Sequence, residues 1–180
     1  QFNKDNGTDL VSVGSIHYEA FAIYSETVTD VANVSADATV AIPNDGSNRA
    51  RALLLLQDAG LVELKDGGSV SSTKEDVLPS SKLSKDNIRE MEAALLPEAM
   101  KEVTLAVING NYALTNQVDT SKAILIEEAS VAAAEYANVL CVKRGNEEDP
   151  RVVALLEALT SRKVKDFIEQ KYNGFVVAVF

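Results

Sequence analysis

Polar side chains that could bind a small charged molecule follow two apolar runs of the sequence. The run 39–42 leads into Asn48 and Arg51, and the run 105–108 leads into Asn109. An arginine guanidinium binds a carboxylate through two parallel hydrogen bonds, and an asparagine amide offers both a donor and an acceptor. In open α/β sheets, ligands bind beyond the carboxyl ends of the strands. The pattern therefore indicates a site for an amino acid, although asparagines at strand ends also serve turn geometry.

Sequence signals of catalysis or metal binding are missing. There is no Gly-Lys-Ser/Thr phosphate loop, no His-Glu-x-x-His and no Gly-x-Ser-x-Gly pattern. His17 is the single histidine and Cys141 the single cysteine, which excludes a disulfide within the chain and a Cys-based zinc site. We expect His17 to be a structural residue and Cys141 to be a small buried hydrophobe. We also expect no enzymatic activity, no cofactor and no metal.

Two groups of acidic residues are candidates for acid–base chemistry, Glu127 with Glu128 and the run 147–149. Adjacent acids before a helix are usually solvated and stabilise the helix N-terminus. We therefore expect both groups to be solvated.

The composition is that of an average globular protein. The chain has 180 residues, of which 46% are hydrophobic and 24% charged, which excludes a disordered or collagen-like chain. Lys and Arg number 17 against 27 Asp and Glu, a net charge of −10. A nucleic-acid partner is not expected, because binding a phosphate backbone needs a basic surface.

The elements that must position these residues alternate between strand and helix, which is the α/β class. The helix after position 46 is apolar almost all round and should be buried on several sides, with Ser47 or Asn48 as its N-cap. Strands are predicted at 10–18, 20–24, 39–42, 61–64, 87–91, 105–108, 123–126, 138–142 and 175–179, and the longer helices at 49–59, 95–102, 150–159 and 162–172.

Several long stretches give the sequence a resemblance to a known family. They are QFNKDNG (1–7), DLVSVG (9–14), AIPNDGSNRARALLLL (41–56), AVINGNYA (106–113), YANV (136–139) and DPR (149–151). In this order they resemble the methionine-binding lipoprotein family, the substrate-binding components of methionine ABC transporters. The resemblance implies a type II periplasmic-binding-protein-like fold, in which methionine or a close analogue is held between two lobes without being changed chemically.

The resemblance also implies roles for individual residues. Arg51 is the expected carboxylate clamp, Asn109 a contact to the amino-acid backbone and Asn138 a further polar contact. Asn48, from the strand-end pattern, is expected in the same site. Two alternatives remain open: Arg49 could be only an exposed neighbour of Arg51, and Asn111 could be only a turn residue.

The resemblance implies a family stretch ahead of position 1, with the lipid-anchoring cysteine and the aromatic and histidine side of the methionine pocket, and we expect this chain to lack it. We therefore expect one complete lobe plus part of the second. Residues 1–24 would be the remainder of lobe 1 and the start of the crossover, 25–135 lobe 2, and 136–180 the return crossover and C-terminal helices of lobe 1. The start at Gln1 instead of Met suggests a processed or cut chain.

The expected partners are L-methionine or a related amino acid and the membrane permease of the transporter. The expected location is extracytoplasmic, with the full-length protein lipid-anchored to the cell membrane. Three alternatives stay open: a fragment with little or no ligand affinity, a receptor for another amino acid or small peptide, and a dimer formed through exposed edges of the incomplete lobe.

Overall fold

The computed structural model describes residues 2–128, 136–172 and 174–180. These residues form a mixed α/β structure with two sheets, as the sequence predicts, divided between two compact units. The larger unit is residues 21–127, and the smaller unit combines the chain up to residue 20 with the chain from residue 128 onward. The chain passes from one unit to the other after Ala20 and again after Glu127. The predicted three-part division of the chain into lobes stays a prediction.

The smaller unit is built on a three-stranded antiparallel sheet. Its elements are α1 (Phe2–Asn6), β1 (Leu10–Glu19), β7 (Asn138–Lys143), α5 (Pro150–Leu159), α6 (Arg162–Tyr172) and β8 (Val176–Ala178), and the strand order is β7-β1-β8. Helix α5 begins as predicted, with Asp149 as N-cap and Pro150 in its first turn. A Cβ atom on Gly14 would lie 2.6 Å from Leu156 Cδ1, so glycine leaves room for the Leu156 side chain of α5 against β1.

The larger unit is built on a five-stranded mixed sheet. Its elements are β2 (Phe21–Tyr24), β3 (Val40–Pro43), α2 (Gly46–Asp58), β4 (Ile88–Met91), α3 (Leu96–Ala99), β5 (Leu105–Asn109), α4 (Gly110–Thr115) and β6 (Ala123–Ile126), in the strand order β4-β3-β5-β2-β6. Strand β3 runs parallel to β4 and β5, whereas β2 runs antiparallel to β5 and β6. None of the helices in the described ranges of either unit is both long and apolar enough to cross a membrane.

The larger sheet is buried on both faces. Successive side chains of β2 point alternately to one face and to the other, and each face packs against its own hydrophobic cluster. Phe21 and Ile23 enter one hydrophobic cluster with Leu53 of α2. Ala22 and Tyr24 enter a second cluster on the opposite face, which α3 and α4 cover. Strands buried on both faces read as continuous apolar runs, which is why 39–42 and 105–108 were recognisable in the sequence.

Helix α2 starts earlier than predicted. Asp45, and neither Ser47 nor Asn48, is its N-cap, and the Asp45 carboxylate accepts a hydrogen bond from the Asn48 N–H at 3.1 Å. A carboxylate at this position satisfies a free N–H and also interacts favourably with the helix dipole. The predicted burial on several sides is confirmed, because Leu53, Leu55 and Leu56 are all buried.

Two further predictions were wrong. Residues 61–64 form no strand, and only Leu64 makes an isolated bridge, with Val77. The apolar run is instead packed into the core beside α2, where the Leu61 N–H donates to the Leu56 carbonyl at 2.9 Å. Cys141 is exposed and not buried, because alternation along the edge strand β7 turns Leu140 and Val142 inward and Cys141 outward.

Tyr24 has a buried hydroxyl whose removal should stabilise the protein. Its side chain is 0% exposed, and the hydroxyl has no hydrogen-bond partner among the described residues. An unsatisfied buried polar group is destabilising, so Tyr24→Phe should raise the free energy of unfolding by about 1 kcal/mol. Urea denaturation measures this. Tyr112→Phe, at a half-buried tyrosine packed on the same cluster, is the control and should change stability by less than about 0.5 kcal/mol.

Tyr24→Phe should also change how the free energy of unfolding depends on pH in the alkaline range. Burial raises the pKa of Tyr24 from 10.0 to about 12, so the folded state holds this proton more tightly than the unfolded state. Stability of the unsubstituted protein should therefore fall as pH rises between these values, and that loss should be smaller in Tyr24→Phe. A loss of stability in Tyr24→Phe at neutral pH would contradict the account.

Candidate functional site

The residues of the larger unit that were predicted for the site lie at one edge of its sheet. Strands β3, β5 and β6 end at this edge, and β2 begins there because it is antiparallel to β5 and β6. Phe21 is thus paired in register with Asn109, and the Glu127 N–H donates to the Phe21 carbonyl at 2.8 Å. The backbone therefore fixes the positions of three residues around the first turns of α2.

Arg51 is the central charged group of this edge. It is only 6% exposed, and its Nε donates to both carboxylate oxygens of Glu127, at 2.9 Å and 3.0 Å. Its Nη2 donates to Glu127 Oε2 as well. The guanidinium carbon lies 4.8 Å from the centre of the Phe21 ring, in a cation–π contact. A buried arginine needs such compensation, because an unpaired charge in the interior is strongly destabilising.

A chain of side-chain hydrogen bonds joins the start of α2 to the end of β5. Asn109 Nδ2 donates to Asn48 Oδ1 at 2.8 Å, and Asn48 Nδ2 donates to the Asp45 carboxylate at 3.1 Å. Asn109 Oδ1 is buried and accepts no hydrogen bond from any described residue. This edge therefore holds an unused acceptor beside a paired arginine.

The charge of Glu127 also acts on its surroundings. The pKa of Asp58, at the C-terminal end of α2, is raised, first by partial burial and second by the negative charge of Glu127. Arg51 and Glu127 together sum to zero charge, so the amides of Asn48 and Asn109 lie beside a neutral ion pair, and the exposed Asp45 carboxylate ends the hydrogen-bond chain.

The structure brings together three of the four residues predicted for the site. Asn48 and Asn109 are in direct contact, and Arg51 lies on the same helix as Asn48. Asn138 belongs to the smaller unit, where it begins β7 opposite His17 and is exposed. Its role as a ligand contact stays a prediction.

Several secondary expectations can also be compared with the structure. Arg49 is half-buried instead of exposed, with Nη1 at 3.7 Å from Glu90 Oε2. Asn111 lies in the first turn of α4 and is exposed. In the smaller unit His17 Nε2 lies 3.1 Å from Glu19 Oε1, which agrees with the expected structural histidine. Across the described ranges, no three His, Cys, Asp or Glu residues cluster as metal ligands.

Sequence reasoning missed Glu127, which was expected to be solvated beside Glu128. Its side chain is only 11% exposed, because the Arg51 pair and the end of β6 hold it inside the edge. Glu127 comes directly after the apolar strand β6, much as Asn109 lies at the end of the apolar strand β5. Applying the strand-end rule to residues 123–126 would therefore have identified Glu127 as a candidate. Phe21 was missed because an aromatic residue in a strand is usually a core residue.

A solved periplasmic substrate-binding protein of an ABC transporter from Coxiella burnetii is 32% identical with a TM-score of 0.86, covering 99% of this chain and 73% of that chain, so the fold is the periplasmic-binding-protein fold. A solved nutrient-binding protein from Burkholderia cenocepacia bound to methionine superposes with a TM-score of 0.88 and is 35% identical, covering 99% of this chain and 74% of that chain. The sequence matches the NlpA lipoprotein family over residues 1–180, and the chain belongs to that family.

Two curated relatives illustrate the similarity. The membrane lipoprotein TpN32 of Treponema pallidum is 44% identical over 178 residues. The methionine-binding lipoprotein MetQ of Bacillus subtilis is 34% identical over 180 residues. Both alignments cover 99% of this chain and 65% of the relative, so the chain spans slightly less than two thirds of their length.

Removal of Arg51 should destabilise the protein strongly. Arg51→Gln leaves the buried Glu127 charge without its arginine and should lower the free energy of unfolding by about 3–5 kcal/mol. Arg49→Gln is the matched control on the same helix, since its 3.7 Å contact with Glu90 is more exposed; it should lower stability by less than about 1 kcal/mol. Equal losses in the two variants, measured by urea denaturation, would contradict the importance given to the Arg51–Glu127 pair.

Proposed function

We propose that this chain binds L-methionine, or a close analogue, as the solute-binding component of an ABC importer. The observation that carries the proposal is the buried Arg51 next to the Asn48–Asn109 pair, at the carboxyl ends of two parallel strands. This is the kind of edge at which open α/β sheets bind ligands.

The site chemistry supports an amino acid as the ligand. A guanidinium is suited to the ligand carboxylate because it donates several hydrogen bonds in one plane. The unused acceptor Asn109 Oδ1 is suited to the ligand ammonium group, and a buried acceptor without a donor is itself destabilising until it is satisfied. The identity of the side chain comes from the relatives, one of which is named for methionine binding and another of which was solved with methionine.

We infer the delivery of the ligand and the location of the protein from the family, and not from the site itself. The ligand would be bound without chemical change and delivered to a membrane permease. The protein would act outside the cytoplasm, held at the membrane by a lipid anchor, as the lipoprotein names of its relatives suggest. Asn138 of the smaller unit would supply a further polar contact. Dimerisation through exposed sheet edges remains a separate prediction for light scattering.

Methionine binding should depend on Asn109. Asn109→Ala removes the proposed acceptor and the hydrogen bond to Asn48, so it should weaken L-methionine binding by about tenfold or more. Asn116→Ala is the control, because Asn116 is exposed and its side chain donates to the Tyr112 carbonyl of its own helix; it should leave affinity within about twofold. Isothermal titration calorimetry measures both.

Two binding results would contradict the proposal. If the unsubstituted chain shows neither calorimetric heat nor a rise in melting temperature with L-methionine, its sulfoxide or short methionine peptides, the chain does not bind this class of ligand. Binding that is unaffected by Asn109→Ala would show that the ligand lies elsewhere.

A further inference from the structure

Glu127 lies on the same guanidinium that the proposed ligand carboxylate would use. Its two oxygens accept three hydrogen bonds from Nε and Nη2 of Arg51. Its backbone N–H is bonded to the Phe21 carbonyl, so the end of β6 fixes the position of the carboxylate. Glu127 compensates the buried guanidinium, and it also places a negative group where the ligand carboxylate would bind.

The effect of Glu127 is to cancel the positive charge of Arg51. The Arg51 side chain is 7% exposed and that of Glu127 is 11% exposed, so solvent and salt screen the pair weakly. An anion with a carboxylate and no ammonium would bring an uncompensated negative charge into this edge. A zwitterionic amino acid brings no net charge, and its ammonium is covalently held close to its carboxylate.

We propose that Glu127 is a specificity-determining residue that makes the site prefer a zwitterionic amino acid over a carboxylate lacking the ammonium group. This inference rests on the proposed function and adds a selection between ligand classes at the same site. Glu127 repels the anion and attracts the ammonium, while Asn109 contributes only a neutral acceptor. Asp58, at the C-terminal end of α2, adds a second negative charge; its pKa is raised first by partial burial and second by the charge of Glu127.

The rival interpretation is that Glu127 only holds Arg51 in place. A purely positioning role would change the affinity for both ligand classes by the same factor, because both use the same guanidinium. A selective role would change the ratio of the two dissociation constants. That ratio is therefore the decisive measurement.

The experiment compares L-methionine with 4-(methylsulfanyl)butanoate, which has the same chain and carboxylate and no amino group. Calorimetry gives the ratio of the two dissociation constants for the unsubstituted chain and for Glu127→Gln, Glu127→Asp and Glu128→Gln. The unsubstituted chain should prefer methionine. Glu127→Gln should reduce the ratio of the dissociation constant of the butanoate to that of methionine by about tenfold or more. Glu127→Asp keeps the charge and should retain the preference within about threefold, and the exposed Glu128 is the control and should also retain it.

A further variant removes the negative charge of Asp58. Asp58→Asn changes neither partner of the Arg51–Glu127 hydrogen bonds. It should also reduce the ratio of the two dissociation constants, by about twofold. An unchanged ratio in Glu127→Gln would overturn the inference, while methionine binding by the unsubstituted chain would uphold the proposed function. Where Glu127→Gln fails to fold, a ratio in Glu127→Asp that differs from that of the unsubstituted chain by more than about threefold would overturn the inference. An equal loss of preference in Glu127→Asp and Glu127→Gln would also overturn it. Absence of methionine binding in the unsubstituted chain would overturn both proposals.

Discussion

The buried ion pair between Arg51 and Glu127 is the constraint on which the candidate site depends. The two residues are 76 positions apart in the sequence, yet each removes the cost of burying the other, because an isolated charge in the interior is strongly destabilising. Arg51 comes from α2, Glu127 follows β6, and Phe21 at the start of β2 stacks on the guanidinium. One interaction thus fixes a helix against two strands.

The apolar character of α2 makes this pair necessary. Ala50, Ala52 and Leu53 around Arg51 are fully buried, so the helix cannot turn the arginine toward solvent without exposing its apolar surface. The helix start is fixed separately, by the Asp45 cap and by the Asn48–Asn109 hydrogen bond. Burial of the helix therefore places the guanidinium, and the strand ends supply the groups around it.

Much of this arrangement could be predicted from the sequence. Continuous apolar runs identified β3 and β5, and the rule that ligands bind at strand ends correctly associated Asn48 with Asn109. The rule missed Glu127 because it was applied only to the ends of the runs 39–42 and 105–108, and because two adjacent acids are usually solvated. Residues 61–64 and Cys141 were misjudged for a different reason. An apolar run shows that a segment prefers burial, but pairing and edge position depend on the rest of the fold.

A double-mutant cycle on the pair tests the central claim most directly. Free energies of unfolding would be measured for Arg51→Met, Glu127→Met and the double variant. The account predicts that each single variant loses several kcal/mol and that the double variant loses less than their sum by about 2–3 kcal/mol, since it leaves no buried charge uncompensated. Losses that add to within about 0.5 kcal/mol would show that the two side chains act independently, and would contradict the account.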